Sequence, residues 1–174
     1  LAAGLAHEIN NPASAATRAV GVLETACQAL LSSVRELADD EISSGQFAAI
    51  DALRREVEPR SAEPDPLVHA DLEQALSTWL TRHGIAREWT IAPALAAAGV
   101  DLGWCTRAAT ALEGSALQPG LEWVANSFTV ATLLSELKDS TQRISELVAA
   151  VRSYSQMDRT SMQEIDVADG LDST

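Results

Sequence analysis

Small or apolar side chains recur along the start of the chain at alternating steps of four and three. They are Ala2, Ala6, Ile9, Ala13, Ala16, Val20, Leu23, Cys27, Leu30, Val34 and Leu37. A 4-3 alternation held this long marks an α-helix packed in a coiled-coil-like bundle, because a lone amphipathic surface helix drifts off so strict a seam. The seam begins with small residues, which implies close approach of a neighbouring helix there. A second seam closes the chain at Val130, Leu134, Leu137, Thr141, Ile144, Val148 and Val151. Together they predict an all-α fold, an antiparallel helical hairpin that dimerises into a four-helix bundle. A lone hairpin would leave two long apolar stripes in water, so the expected state is a homodimer.

The first hairpin helix is expected over residues 1–38 and the second over 121–158, opening after Pro119-Gly120 read as a breaker pair. Residues 39–120 exceed what a hairpin tip needs and predict an inserted small helical subdomain. The spacing of Phe47, Ile50, Leu53 and Val57 lets the first helix continue past the weak point Ser43-Ser44-Gly45. The three prolines between Glu58 and Pro66 predict a turn, and Asp65-Pro66 is a helix start, a capping side chain followed by proline at the first helical position. Leu72, Ala75, Leu76, Trp79 and Leu80 share one face of that helix, which Gly84 ends. Shorter helices are expected over 93–98 and 102–112, and the tryptophans Trp79, Trp89, Trp104 and Trp123 are expected to build the insert's core, with a ligand pocket as the sharper alternative. Asp158 to Ser161 reads as the loosening of the last helix into a linker. The chain enters its helical pattern at Leu1 without a methionine, and a new amphipathic stretch is starting at Thr174, so both ends read as cuts in a longer protein.

Composition sets the function classes. The net charge of −13 disfavours nucleic acid and anionic membrane surfaces as partners, since both attract basic proteins. No window approaches the roughly 18 consecutive apolar residues of a membrane span, so no direct membrane insertion is expected. Cys27 and Cys105 lack metal-ligand spacing and read as reduced thiols of a cytoplasmic protein.

The chemistry lies in Leu5-Ala6-His7-Glu8-Ile9-Asn10-Asn11-Pro12. Ala6 and Ile9 are seam positions, so His7 stands one step off the seam and Asn11, four residues on, shares its outward face. A core histidine would sit on the seam; this one is presented to solvent or a partner. Pro12 cannot donate to the carbonyl of Glu8 and crowds it, at a cost of about 3 kcal/mol. A distortion kept inside an otherwise regular seam suggests a use beside the histidine. A zinc-protease helix needs a second histidine where Asn11 stands, and His69 and His83 lack ligand-spaced acidic neighbours, so no metal site is expected.

The stretch His7-Glu8-Ile9-Asn10-Asn11-Pro12 resembles the phospho-acceptor box of sensor histidine kinases, the transferases of two-component signal transduction, with a match at His7, Glu8, Asn11 and Pro12. Arg143-Ile144-Ser145-Glu146-Leu147-Val148, running on to Val151-Arg152-Ser153-Tyr154-Ser155, is similar to that family's second hairpin helix. Glu164-Ile165-Asp166-Val167 is similar to its entry into the ATP-binding domain, so 159–174 is expected to hold the linker and the start of that domain. The likeness covers roughly the first 38 and last 45 residues; the insert departs from the plain hairpin and resembles a subgroup with His83-Gly84 and a later Trp89 in a helical insertion.

What the resemblance implies is specific. His7 is the phospho-acceptor: a ring nitrogen attacks the γ-phosphorus of ATP, the bond to ADP breaks and a phosphoramidate forms. Imidazole is largely neutral near pH 7 and keeps a lone pair for that attack. Glu8 acts as general base and fixes the tautomer, although adjacent helical residues project about 100° apart and must be brought together. Asn11 places water for possible phosphatase chemistry, and Pro12 supplies the helix kink. ATP and Mg2+ belong to the ATP-binding domain, whose Gly-rich lid and asparagine-bearing helix this chain does not contain, so no cofactor is expected here and no self-phosphorylation. The implied partners are a second copy, that ATP-binding domain and a response-regulator receiver that takes the phosphoryl group on aspartate. The competing expectation, supported by the seams alone, is a non-catalytic helical dimerisation scaffold or adaptor.

Overall fold

The computed structural model describes residues 2–57, 65–112 and 114–160, and side chains from 7 onward and to 153 within them. Every regular element there is helical: α1 (Ala2–Asp39), α2 (Ser44–Glu56), α3 (Pro66–Arg82), α4 (Glu88–Ala98), α5 (Leu102–Ala111), a single 3-10 turn (Gly114–Ala116) and α6 (Leu117–Thr160). None of these helices is long and apolar enough to cross a membrane. Contacts divide the chain into two compact units, one of residues 1–18 and 136–174 and one of residues 19–135.

The second unit holds the core. Leu76 and Leu80 of α3, Ile91 and Leu95 of α4, Cys105 and Ala108 of α5, Ile50 of α2, and Leu121 and Val124 of α6 are all buried to 2 % exposure or less. α3 packs mainly on α4, and α2 on α5. Trp104 is buried and its indole N–H donates to the Leu53 carbonyl at 2.9 Å, so the ring fills space without stranding its polar edge. Trp123 meets Phe47 with ring centroids 5.1 Å apart, and the Arg54 guanidinium lies 5.3 Å from its centroid. Trp79 stacks on His83 at 3.8 Å. Trp89 is 66 % exposed, so three of the four tryptophans pack in this unit and Trp89 does not.

Local chemistry sets the helix ends. The Asp65 carboxylate accepts from the Leu67 N–H at 2.9 Å with Pro66 opening α3, as the sequence predicts. α3 ends through Gly84 at φ 71°, where the Gly84 N–H donates to Thr81 O and the Ile85 N–H to Leu80 O, while the Leu80 and Ile85 side chains are both buried. α4 closes the same way, with Gly99 at φ 83° and the Val100 N–H donating to Leu95 O.

Four expectations are corrected. α1 does not run on into residues 47–57, because Ser43 is an N-cap: its hydroxyl accepts from the Gln46 N–H, and Gln46 Oε1 accepts from the Ser43 N–H at 3.0 Å. α6 opens at Leu117, ahead of Pro119-Gly120. Proline in the first helical turn forfeits no internal hydrogen bond, since that N–H has no partner inside the helix. Gly120 is packed so closely that a Cβ there would lie 2.2 Å from Leu112 Cδ1, which makes it a contact residue and no breaker. α4 begins at Glu88, five residues before Pro93, and α6 runs through Asp158 to Thr160, where the linker was expected to open. Most of the stretches read as the 58–66 turn and the 159–174 linker lie outside the described residues.

Candidate functional site

α1 passes Pro12 without a break in its helical assignment. His7, Glu8 and Asn11 are exposed and Pro12 is half-buried. Neither His7 nor Glu8 makes a side-chain hydrogen bond or ion pair with a described residue. The carboxylate is therefore not brought onto the imidazole in this conformation, as expected of neighbours that project to different sides of a helix.

In the first unit Glu8, Asn11 and Pro12 of α1 and Asp139, Arg143 and Glu146 of α6 line one groove of about 860 Å³. The arrangement brings together Glu8, Asn11 and Pro12, three of the four residues singled out in the sequence. His7 is not among the lining residues; at a spacing of four residues it shares a helix face with Asn11, which is. Arg143 and Glu146 belong to the stretch similar to a second hairpin helix, but their place opposite this box, with Asp139, follows only from the pairing of two helices far apart in the chain. Among the lining residues Arg143 is the one cation, against three carboxylates.

The first unit contrasts with the second in burial. Among the described side chains of 7–18 and 136–153 none is fully buried; the half-buried ones include Ile9, Ala13 and Ala16, and Leu137, Ile144, Leu147 and Val151. Along α1 within the second unit the fully buried positions are Ala19, Ala26, Ser33 and Leu37, while Val20 and Val34 of the predicted seam remain 42 % and 45 % exposed and Cys27 is exposed too. The seam positions Leu134 and Val148 of α6 are 50 % and 47 % exposed. α1 thus buries Ala19, Ala26, Ser33 and Leu37 in its second-unit stretch and leaves the adjacent Val20, Cys27 and Val34 in water.

A second polar cluster lies in the larger unit. Glu122, only 4 % exposed, accepts from Arg87 Nη2 at 2.6 Å and from Gln118 Nε2 at 3.1 Å, while Gln118 Oε1 accepts from the Ala86 N–H at 3.1 Å. Arg87 caps α4 from the left-handed region at φ 61° without a side-chain capping bond. Both carboxylate oxygens of Glu122 are therefore partnered, which suits a structural brace. Burial, more than the Asp101 charge, pushes the Cys105 thiol up to about 12, leaving it no nucleophile at neutral pH.

No protein-family model, curated protein or solved structure matches this chain.

Proposed function

We propose that this chain is the dimerisation and phospho-acceptor region of a sensor histidine kinase, taking the ATP γ-phosphoryl group on His7 and passing it to a response-regulator aspartate. The observation that carries the reading is the exposed placement of His7 and Asn11 on one face of α1, next to Pro12 and to a groove lined by Glu8. A nucleophile that must meet two partners in turn has to be reachable, and His7 is. Glu8 serves as general base and tautomer orienter after a side-chain rotation, since nothing else described engages it. Asn11 positions water for the reverse, hydrolytic chemistry. ATP and Mg2+ are held by a separate catalytic domain of the same protein, so this region alone transfers nothing from ATP.

On this reading α1 and α6 form the arms of a hairpin, with residues 39–120 as its insertion, and two hairpins pair as a four-helix bundle. The exposed edge Val20-Cys27-Val34 of α1 and the edge Leu134-Thr141-Val148 of α6 support that assembly. Completing the burial of a half-exposed valine or leucine contributes roughly 1 kcal/mol, so several per copy favour a dimer.

The same exposed edges favour a second reading, a helical dimerisation scaffold in which His7 does no chemistry, because they need no histidine. Phosphoryl transfer separates the two. Supplied with the ATP-binding domain of its parent and ATP, the chain takes up acid-labile, alkali-stable label, and His7→Gln takes up none. No label with a demonstrably active partner domain would leave the scaffold.

A further inference from the structure

We propose that Arg143 of α6 holds the phosphoryl group once His7 carries it, an inference that rests on the phospho-acceptor reading above. Arg143 lines the same groove as Glu8 and Asn11, and Asn11 shares the outward face of His7. The groove is acidic: Glu8, Asp139 and Glu146 face a single guanidinium. A phosphoryl group brings close to two further negative charges at neutral pH, into a place where like charge already dominates. A cation within reach decides whether that product is tolerated.

Arg143 is available for the task. Asp139 lies four residues before it and Glu146 three after, both at helical ion-pair spacing. Yet the ion pairs among the described residues join Arg54 and Arg55 to Asp51, Arg87 to Glu122 and Arg107 to Glu56, and none uses Arg143. Its exposed guanidinium offers a planar fork that donates to two phosphoryl oxygens at once, a geometry an ammonium group lacks. Arg143 then acts on the product and on the departing phosphoryl group, while Glu8 acts on the ring.

The test loads the whole chain chemically with phosphoramidate. A ring nitrogen of His7 attacks phosphorus, the P–N bond to ammonia breaks, and ammonia leaves with the ring proton. His7→Gln identifies signal from His69 and His83, and phosphorus NMR follows the His7 phosphoryl group with pH and time. Arg143→Gln is expected to move its protonation midpoint up by about half a unit, which raises the monoprotonated fraction above the midpoint about threefold. The lifetime of this acid-labile group shortens accordingly. Arg143→Lys restores most of the midpoint by charge alone, and unchanged circular dichroism shows that the helices persist. A midpoint and lifetime identical in wild type and Arg143→Gln, with His7 clearly loaded, would overturn the role of Arg143 and leave the phospho-acceptor reading standing. Failure of His7 to load at all, while exposed histidines elsewhere do, would remove both.

Discussion

The two compact units use the same helical alphabet to opposite ends. Residues 19–135 bury Leu76, Leu80, Leu95, Cys105, Leu121 and Val124 completely and partner the buried carboxylate of Glu122. The described side chains of 7–18 and 136–153 include none that is fully buried, and they carry His7, Glu8, Asn11 and Arg143. Stability and reactive groups are therefore drawn from different stretches of one chain. Under the proposed function, a histidine that accepts and releases a phosphoryl group is kept out of a core, and a second copy would supply the burial that its unit lacks.

The largest expected effect tests that separation. His7→Gln should abolish phosphoryl acceptance yet leave the melting temperature unchanged, since an exposed side chain without described partners contributes within about 0.5 kcal/mol. A clear loss of stability would show that His7 is structural after all, and the contrast between the units would fail at its central residue. Leu95→Ala is the converse. Leu95 is wholly buried, and emptying its site should cost about 2–5 kcal/mol in denaturant unfolding. At temperatures where the variant remains folded, label on His7 should persist.

Gly120→Ala sharpens the comparison by its sign. A glycine inside a helix usually costs about 1 kcal/mol relative to alanine, so a breaker reading predicts a gain in stability. The 2.2 Å approach to Leu112, itself buried, predicts a loss of about 1–3 kcal/mol through overpacking. Thermal melts of the two chains decide between them.

These cases also show what was legible in the sequence. Periodicity disclosed the long helices, because a seam is a local record of packing, and Asp65-Pro66 and Gly84 disclosed the ends of α3 through backbone chemistry. The seam did not say which of two adjacent edges is satisfied within the chain: Ala19, Ala26 and Ser33 are buried, one step from Val20, Cys27 and Val34. Gly120 and Pro119 look like punctuation until the neighbour Leu112 is known. The pairing of Arg87 with Glu122, 35 residues apart, and the placing of Arg143 in a groove with Asn11 are products of tertiary structure that no local pattern encodes. For the site, the residue types and spacing of His7, Glu8, Asn11 and Pro12 were readable, and the groove's second wall was not.

Cys27 reports on the unsatisfied edge. It is exposed in the single chain, whereas Cys105 is buried with its thiol pushed up to about 12. A thiol reagent at neutral pH should therefore modify one cysteine per native chain and two in denaturant. If the Val20-Cys27-Val34 edge closes against a second copy, Cys27 should react more slowly as protein concentration rises, in step with dimer formation followed by light scattering. A rate independent of concentration across that range would place the dimer contact elsewhere or remove it.

The smallest effect lies within the well-packed unit and depends on pH. Asp51 accepts from Arg54 at 2.7 Å and pairs with Arg55 at 2.5 Å, and the Arg54 hydrogen bond, against the opposing effect of burial, holds its carboxyl below the ordinary aspartate value. A carboxyl whose folded pKa is depressed stabilises the fold in full above its unfolded pKa of about 3.9 and loses that contribution as pH falls through the lower folded value. Both arginines are partly exposed, so solvent screening limits the pair to under about 1 kcal/mol. Asp51→Asn should thus be slightly less stable than wild type at pH 7, with the gap closing below pH 4 and shrinking in high salt. A gap that persists at pH 2 would assign the aspartate's contribution to hydrogen-bond geometry, which asparagine fails to reproduce, in place of charge.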